Sequence, residues 1–543
     1  MQGGPMRRML IGLALVALAA VPSCAAAQGA AAQGPPRPGG TLRLAIEDEP
    51  ECLDPHQSPT EAARLLDRPL VDPLVHQDDK GVLRPWLATH WTVSADRLTY
   101  TFTLRPDVRF SDGTPFDAAA VVANLDHVVA PATKSLLAAS LISAYRASTV
   151  LDAHTVRVQL SEPDSTFLAA LATTSLGMES PRTLRQDPAT LCANIVGTGP
   201  FVSHDGLQPQ QGISYVRNPG YAWAPEGADH AGAAYLDGVD VQFVPDDAAR
   251  YGALTSGQVD AIMSVSPTEE RELGASPGFL LRTKAFPGIN YSYWPNTASG
   301  PFADPSVRKA FQVGVDWPQI VRNVYFGTRQ VARGVLSPTT PGFDRSVAKN
   351  YVVDPALAGR LLDRAGWTGR DSAGYRTKDG VRLRLRHLWS DPSIEDLAVQ
   401  VQASARQLGI ETVEQNVDGG TFVKSLLAGD YDLLDTSFSA AGPNVLQVMF
   451  DAANIPTEER GIANNVSRYD QSDVQADLVG ALAARDQDEQ HRIYGAVQQR
   501  ISADVAVFPV YSDMATVGAR DGVGGIAFDN EATPDFYRIW LAS

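Results

Sequence analysis

The sequence predicts an α/β protein made of several domain-sized units. At 543 residues the chain is long enough for roughly three to four such units. Segments that alternate apolar and polar residues in the manner of strands are separated by helical patterns along most of the chain, which is typical of α/β layers. The apolar and aromatic fractions, 44% and 8%, are those of a globular protein with a sizeable core.

The first elements have clear local signals. Residues 41–46 alternate as a strand, and a second strand lies within 98–110, where every second residue from Leu98 to Leu104 is apolar. A turn at 111–115 follows, and Asp117 is placed to cap a helix over Ala118–Val129.

The remaining elements repeat this pattern of strand and helix. Helices are predicted over residues 246–256, 307–315, 320–325, 356–365 and 393–408, and strands over 155–161, 381–388 and 410–414.

The N-terminus has the three parts of a secretory signal peptide. Arg7 and Arg8 precede an apolar run over residues 9–21, and an A-x-A site ends at Ala27. We expect a signal peptide over 1–27, a disordered leader over 28–39 and a soluble periplasmic product. A lipoprotein anchored at Cys24 is the alternative, because residues 21–24 partly resemble a lipobox.

Export has consequences for charge and for cysteine chemistry. Removing residues 1–27 takes away two arginines and no acids, which leaves a net charge of about −19 and disfavours nucleic-acid binding. Two thiols, Cys52 and Cys192, would then meet an oxidising compartment, which favours a disulfide between them. Two separate buried thiols are the alternative.

Nine short segments occur in the order typical of one protein family. They are Leu53-Asp54-Pro55 and residues 101–116, 196–201, 217–221, 253–257, 296–310, 361–367, 429–432 and 508–511. Taken together they resemble solute-binding protein family 5, the peptide/nickel-type receptors of ABC importers, from about Gly40 to the C-terminus.

The resemblance implies a periplasmic-binding-protein fold of two lobes around a cleft, with an extra subdomain in the first lobe. The implied boundaries are 40–80, 196–285 and 506–543 for the first lobe, 81–195 for the subdomain and 286–505 for the second lobe. The chain would be a monomeric receptor that delivers a peptide-like or other organic solute to membrane permeases with separate ATPase subunits. A sensor or chaperone role on the same fold stays open.

Ligand contacts are expected from loops at the ends of strands that face the cleft. The candidates are His56, Tyr291, Tyr293, Trp294, Trp389, Phe438 and Ser439. Aromatic rings could stack on a flat solute, although core packing is the alternative for each of them.

Motifs of enzymes are present but incomplete, so we expect no catalysis, no cofactor and no metal site. Ser276 lies in a G-x-S-x-G pattern, but Pro277 lacks the N–H that an oxyanion hole needs. Ser306 and Lys309 match S-x-x-K without the companion motifs. A secreted hydrolase or penicillin-recognising enzyme is the alternative function. The histidines and cysteines form no zinc motif.

Free dipeptides are not the expected ligand. Dipeptide-binding members of the family carry an acid after the strand that ends near 437–445 and an arginine after Trp389, and this sequence has neither. An ammonium buried without a partner costs several kcal/mol. We therefore expect calorimetry to detect no tight binding of an unmodified dipeptide, and a high-affinity isotherm would contradict this prediction.

Overall fold

The computed structural model describes residues 35–542. The expected signal peptide, Cys24 and the first part of the leader lie outside the described residues. Among residues 35–542, no helix combines the length and the apolar character that crossing a membrane requires.

Strands account for much of the described chain. In chain order they are β1 Thr41–Ile46, β2 Val75–Gln77, β3 Leu83–Pro85, β4 Ala88–Val93, β5 Thr99–Leu104, β6 Tyr145–Asp152, β7 Thr155–Leu160, β8 Phe201–Val202, β9 Gly212–Arg217, β10 Gly238–Phe243, β11 Ala261–Met263, β12 Phe279–Ala285, β13 Gly288–Pro295, β14 Gln330–Val331, β15 Gly369–Arg370, β16 Arg376–Lys378, β17 Val381–Arg382, β18 Arg384–Trp389, β19 Glu411–Asn416, β20 Leu433–Ser439, β21 Phe508–Ser512, β22 Met514–Arg520, β23 Val523–Gly524 and β24 Trp540–Leu541.

Helices lie between these strands. The α-helices are α1 Glu61–Asp67, α2 Ala118–Val129, α3 Leu137–Leu141, α4 Phe167–Ala170, α5 Pro188–Ala193, α6 Asp247–Ser256, α7 Pro267–Ala275, α8 Pro305–Gly314, α9 Trp317–Tyr325, α10 Pro355–Arg364, α11 Glu395–Gln407, α12 Gly419–Ala428, α13 Val445–Phe450, α14 Ser472–Leu482 and α15 Gln487–Asp504.

The first lobe is organised around a seven-stranded sheet with the order β12-β22-β11-β1-β10-β9-β8. β1 pairs in parallel with β10 and β11, so these three strands end at the same edge of the sheet. Leu42 and Leu44, the alternating apolar residues of β1, are buried in the core, as the sequence pattern predicts.

A four-stranded sheet with the order β4-β5-β7-β6 extends the first lobe. Phe102 and Val158 from this sheet lie in the same hydrophobic core as Leu42 of β1, so the two sheets share one core. α2 covers this layer, and the Asp117 side chain accepts a hydrogen bond from the N–H of Ala120, which confirms the predicted cap.

The second lobe is built on a six-stranded sheet with the order β14-β21-β13-β20-β18-β19. β13 is a central strand with all eight residues buried, because both faces of the sheet are covered. Two hydrophobic clusters fill these layers, one around Phe311 and Phe508 and one around Trp294 and Phe450. The α/β fold and the two-lobed arrangement are therefore confirmed.

The chain passes between the two large sheets twice. β12 belongs to the first sheet and β13 to the second, and the return occurs between β21 and β22. The N–H of Phe286 donates to the carbonyl of Asp513 at 3.0 Å, so the two crossings are bonded to each other. The resemblance implies that the chain returns to the first lobe at residue 506. In the structure, residues 508–512 form β21 and pair within the second sheet.

Cys52 and Cys192 form a disulfide. The bridge joins the segment after β1 to α5 across 140 residues of sequence. The predicted pairing is confirmed. A cross-link of this kind stabilises a protein mainly by restricting the unfolded chain, typically by about 2–4 kcal/mol.

Candidate functional site

Three cavities lie along the cleft between the lobes. The hinge-side cavity, of about 310 Å³, lies next to the strand crossings, and its lining includes Glu61 and Asp513. The middle cavity, of about 400 Å³, lies between α3 and the end of β20. The outer cavity, of about 520 Å³, lies between the four-stranded sheet and the start of α15. Arg64 lines the first two, and Thr166 lines the last two.

The middle cavity has mostly apolar walls. The first lobe contributes Leu137 and Leu141 of α3, and the second lobe contributes Phe438, Val445 and Val448. β20 begins buried at Leu433 and becomes half-buried along its length, so its last residues reach the cleft. Phe438 and Ser439 are thus the two sequence candidates that line a cavity.

Arg64 is the central charged residue of the cleft. It lies on α1, its side chain is 7% exposed, and its Nε has no hydrogen-bond partner. Nη2 lies 3.4 Å from Ser439 Oγ of the second lobe. The same guanidinium stands between two carboxylates, with Glu61 at 3.4 Å and Glu531 at 3.8 Å. Arg64 therefore bridges the lobes without presenting net positive charge to a ligand.

The hinge-side cavity is rich in carboxylates. Its acids are Glu47, Asp48, Glu61 and Asp513, and its other cation besides Arg64 is Arg329. Arg329 is already paired with Glu270 at 2.5 Å. Burial raises the pKa values of Glu61 and Asp513 above their ordinary range, against the lowering effect of the nearby arginines. The cavity thus holds more negative than positive groups.

Two of these acids face open space within the cleft, since the side chains of Glu47 and Glu61 are 43% and 52% exposed. Glu47 is 3.6 Å from Arg250, which offsets part of its charge. β1 and β11 run in parallel and deliver Glu47 and Ser264 at their carboxyl ends, which is where open α/β sheets bind ligands.

Four of the aromatic candidates pack inside the second lobe and line none of these three cavities. Tyr293 and Trp294 are fully buried, and Tyr291 and Trp389 are 7% and 5% exposed. Trp294 donates its indole N–H to the carbonyl of Thr436. Core packing, the alternative given for each aromatic candidate, is what these four show, because a strand covered on both faces carries aromatic residues on both.

A polar row crosses the second sheet next to these aromatic rings. His387 on β18 lies between Glu414 on β19, at 2.6 Å from Nδ1, and Asp435 on β20, at 3.0 Å from Nε2. The hydroxyl of Tyr291 also donates to Asp435. Burial alone would lower the pKa of His387, but the hydrogen bonds to the two carboxylates outweigh it and raise the pKa to about 9.

His56 lies in the core of the first lobe and lines none of the three cavities. Its Nε2 is 3.1 Å from the carbonyl oxygen of Gly177, and its Nδ1 is 3.0 Å from Nδ1 of His127. Burial lowers the pKa of His56 to about 4.

The serine motifs do not form catalytic groups. Ser276 caps the end of α7, and its hydroxyl donates to the carbonyl of Glu272. Lys309 donates to Gln312 and to the carbonyl of Asn350. Burial lowers the pKa of Lys309, yet the structure shows no hydrogen bond between its amine and Ser306.

Comparison with known proteins finds that the chain is similar to bacterial solute-binding proteins. The family described as bacterial extracellular solute-binding proteins, family 5 (middle region) matches residues 82–454. Heme-binding protein A of Haemophilus influenzae is 27% identical over 458 residues, covering 79% of this chain and 78% of that protein. Glutathione-binding protein GsiB of Salmonella paratyphi A is 27% identical over 470 residues, covering 84% and 86%.

A solved structure has the same fold. NikA from Brucella suis, in complex with Fe(III)-EDTA, superposes with a TM-score of 0.78 at 24% identity, covering 92% of this chain and 99% of that one.

Protonated His387 should make stability depend on pH. Its pKa is about 9 in the folded protein against 6.5 ordinarily, so its stabilising effect is complete below pH 6.5 and is lost as pH rises through 9. We expect the free energy of unfolding to fall by about 3 kcal/mol over that window, as measured by urea denaturation. Histidine NMR should show one ring that titrates near pH 9.

The matched variants are His387→Gln and His90→Gln, the second of which changes an exposed histidine. We expect His387→Gln to flatten the pH dependence and His90→Gln to keep it. An unchanged slope in His387→Gln would contradict the assignment.

Proposed function

The chain belongs to the bacterial extracellular solute-binding proteins of family 5, and we propose that it binds a basic organic solute in the cleft between its lobes. As a member of this family it is the substrate-binding receptor of an ABC importer and not an enzyme. We further propose a soluble periplasmic monomer that delivers its solute to permeases with separate ATPase subunits. Retention at Cys24 as a lipoprotein is the alternative, and no nucleic acid is involved.

The excess of carboxylates in the hinge-side cavity carries this proposal. Glu61 and Asp513 lie near other acids, and their raised pKa values reflect charge that burial disfavours. An ammonium or guanidinium group would relieve this cost, because an opposite charge within about 4–6 Å favours the ionised carboxylate. The chemistry of the site therefore favours a basic group at this end of the cleft.

The apolar walls of the middle cavity favour a solute whose remaining part is uncharged and apolar. Phe438 and Ser439 are proposed ligand contacts there, together with α3 on the opposite wall. A ligand carboxylate near Arg64 would also meet Glu61 and Glu531. We propose that the solute has no free carboxylate in this region.

The acids of the cleft change the physical reason for which free dipeptides are excluded as ligands. Acids that could pair with an ammonium group are available, but they come from segments far from 437–445. The expected exclusion of dipeptides now rests on the carboxylate, since Arg64 is flanked by two acids.

The lobe boundaries are also a proposal. We take the first lobe as residues 40–285 together with 514–542, including the subdomain 81–195, and the second lobe as residues 286–512. Asp513 lies at the turn between them.

Replacing Glu61 by Gln should weaken the binding of the solute. The variant keeps the side-chain shape and removes one negative charge, so the ion pair with the basic group of the solute is lost. Thermal-shift screening with C-terminally amidated peptides and their N-acetylated counterparts would supply a probe, and calorimetry would give its affinity. We expect acetylation to abolish binding and Glu61→Gln to weaken it at least tenfold.

Glu459→Gln is the matched control, because Glu459 is exposed and lies outside the three cavities. It should bind like the wild type. Tight binding of a carboxylate-bearing solute such as glutathione, with full affinity retained in Glu61→Gln, would overturn the proposal.

A further inference from the structure

A separate group of potential ligand atoms lies in the core of the first lobe. Asp54, His56 and Glu179 are fully buried, and each offers an oxygen or nitrogen within 4.8 Å of the others. None of them lines the hinge-side, middle or outer cavity. The solute-binding cleft therefore does not explain them.

The orientation of His56 leaves one nitrogen directed into this group. A carbonyl oxygen only accepts hydrogen bonds, so the contact with Gly177 places the proton of His56 on Nε2. Its Nδ1 then carries a lone pair, 3.0 Å from His127 Nδ1 and 3.7 Å from Glu179 Oε1. Neighbouring ligand atoms on a tetrahedral zinc ion, each about 2.0–2.1 Å from the metal, are about 3.3 Å apart.

The two carboxyl groups lie side by side in the core. Neither oxygen of Glu179 accepts a hydrogen bond from an N–H or hydroxyl group of the described residues. Asp54 beside it accepts hydrogen bonds from the N–H of His56 and from the amide of Gln57. In the described part of the chain, neither acid forms an ion pair with a lysine or arginine; the pairing partner of Glu179 is the His56 ring. Two carboxyl groups buried side by side without a lysine or arginine cannot both ionise cheaply, and a divalent cation would balance both carboxylates.

We propose that these residues bind one Zn²⁺ ion. Nδ1 of His56 and carboxylate oxygens of Glu179 and Asp54 supply three ligands, whose atoms already lie within 4.8 Å of one another. Nδ1 of His127 is 3.0 Å from His56 Nδ1 but outside that group, and it supplies the fourth ligand once its side chain turns toward the carboxylates. Two imidazoles favour zinc over calcium or magnesium, which prefer oxygen ligands. The hydrogen bond from His56 Nε2 to Gly177 is the outer contact that commonly orients a histidine ligand.

The ion would act as a structural link. Asp54 and His56 follow β1, His127 lies in the last turn of α2, and Glu179 lies between α4 and α5. The Cys52–Cys192 disulfide joins the same segment after β1 to α5. Zinc would therefore tie the first sheet to the helix that covers the four-stranded sheet.

The direct test is zinc binding by the mature chain after dialysis against EDTA. Competition with a chromophoric chelator gives the affinity, and native mass spectrometry gives the stoichiometry. We expect one zinc per chain. We expect His127→Gln to lower the zinc affinity at least tenfold, because even substitutions of residues that only orient a metal ligand lower metal affinity by about 10–100-fold.

His90→Gln is the control for the general loss of a histidine, since His90 is exposed on β4. It should bind zinc like the wild type. If His127→Gln does not fold, as judged by circular dichroism, Glu179→Gln takes its place with the same expected loss. The proposal is wrong if the wild type takes up no stoichiometric zinc, or if a folded ligand variant keeps wild-type affinity.

Discussion

The two strand crossings at 286–287 and at 513 are the constraint on which the cleft depends. β12 pairs with β22 in the first sheet and β13 pairs with β21 in the second, so a pair of adjacent strands runs from one lobe into the other. The hydrogen bond from Phe286 to Asp513 joins the crossings at the boundary. Relative motion of the lobes is thereby concentrated at a few backbone positions, as in hinge closure around a ligand. A solute that contacts both lobes would favour the closed arrangement by its differential affinity.

Charge is distributed unevenly along this cleft. The hinge side collects carboxylates at the ends of parallel strands, whereas the middle cavity is largely apolar. Arg64 lies between the two, touches Ser439 of the other lobe and is held between Glu61 and Glu531. A neutralised arginine therefore spans the cleft, and the remaining acids face the hinge-side cavity. A solute with one basic end and an uncharged body matches this gradient.

Much of the fold could be predicted from local patterns, because caps, turns and alternation act within a few residues. Asp117 and α2 are examples. Burial and charge pairing depend on distant segments, so they were harder to predict. Phe438 reaches the cleft because β20 emerges at its end, whereas Tyr293 has similar local sequence and lies in a fully buried strand. The contacts of Arg64 with Ser439 and Glu531 and the pairing of His56 with His127 gave no local signal, since these partners are far away in the chain.

The most direct test of the account is native mass spectrometry of the mature chain, purified gently from a periplasm, with fragmentation of any bound species. We expect a co-purified solute that carries an amine or guanidinium group on an uncharged body and has no free carboxylate. A bound solute whose only charged groups are carboxylates would contradict it, because such a molecule would have to occupy a cleft whose accessible charges are already negative.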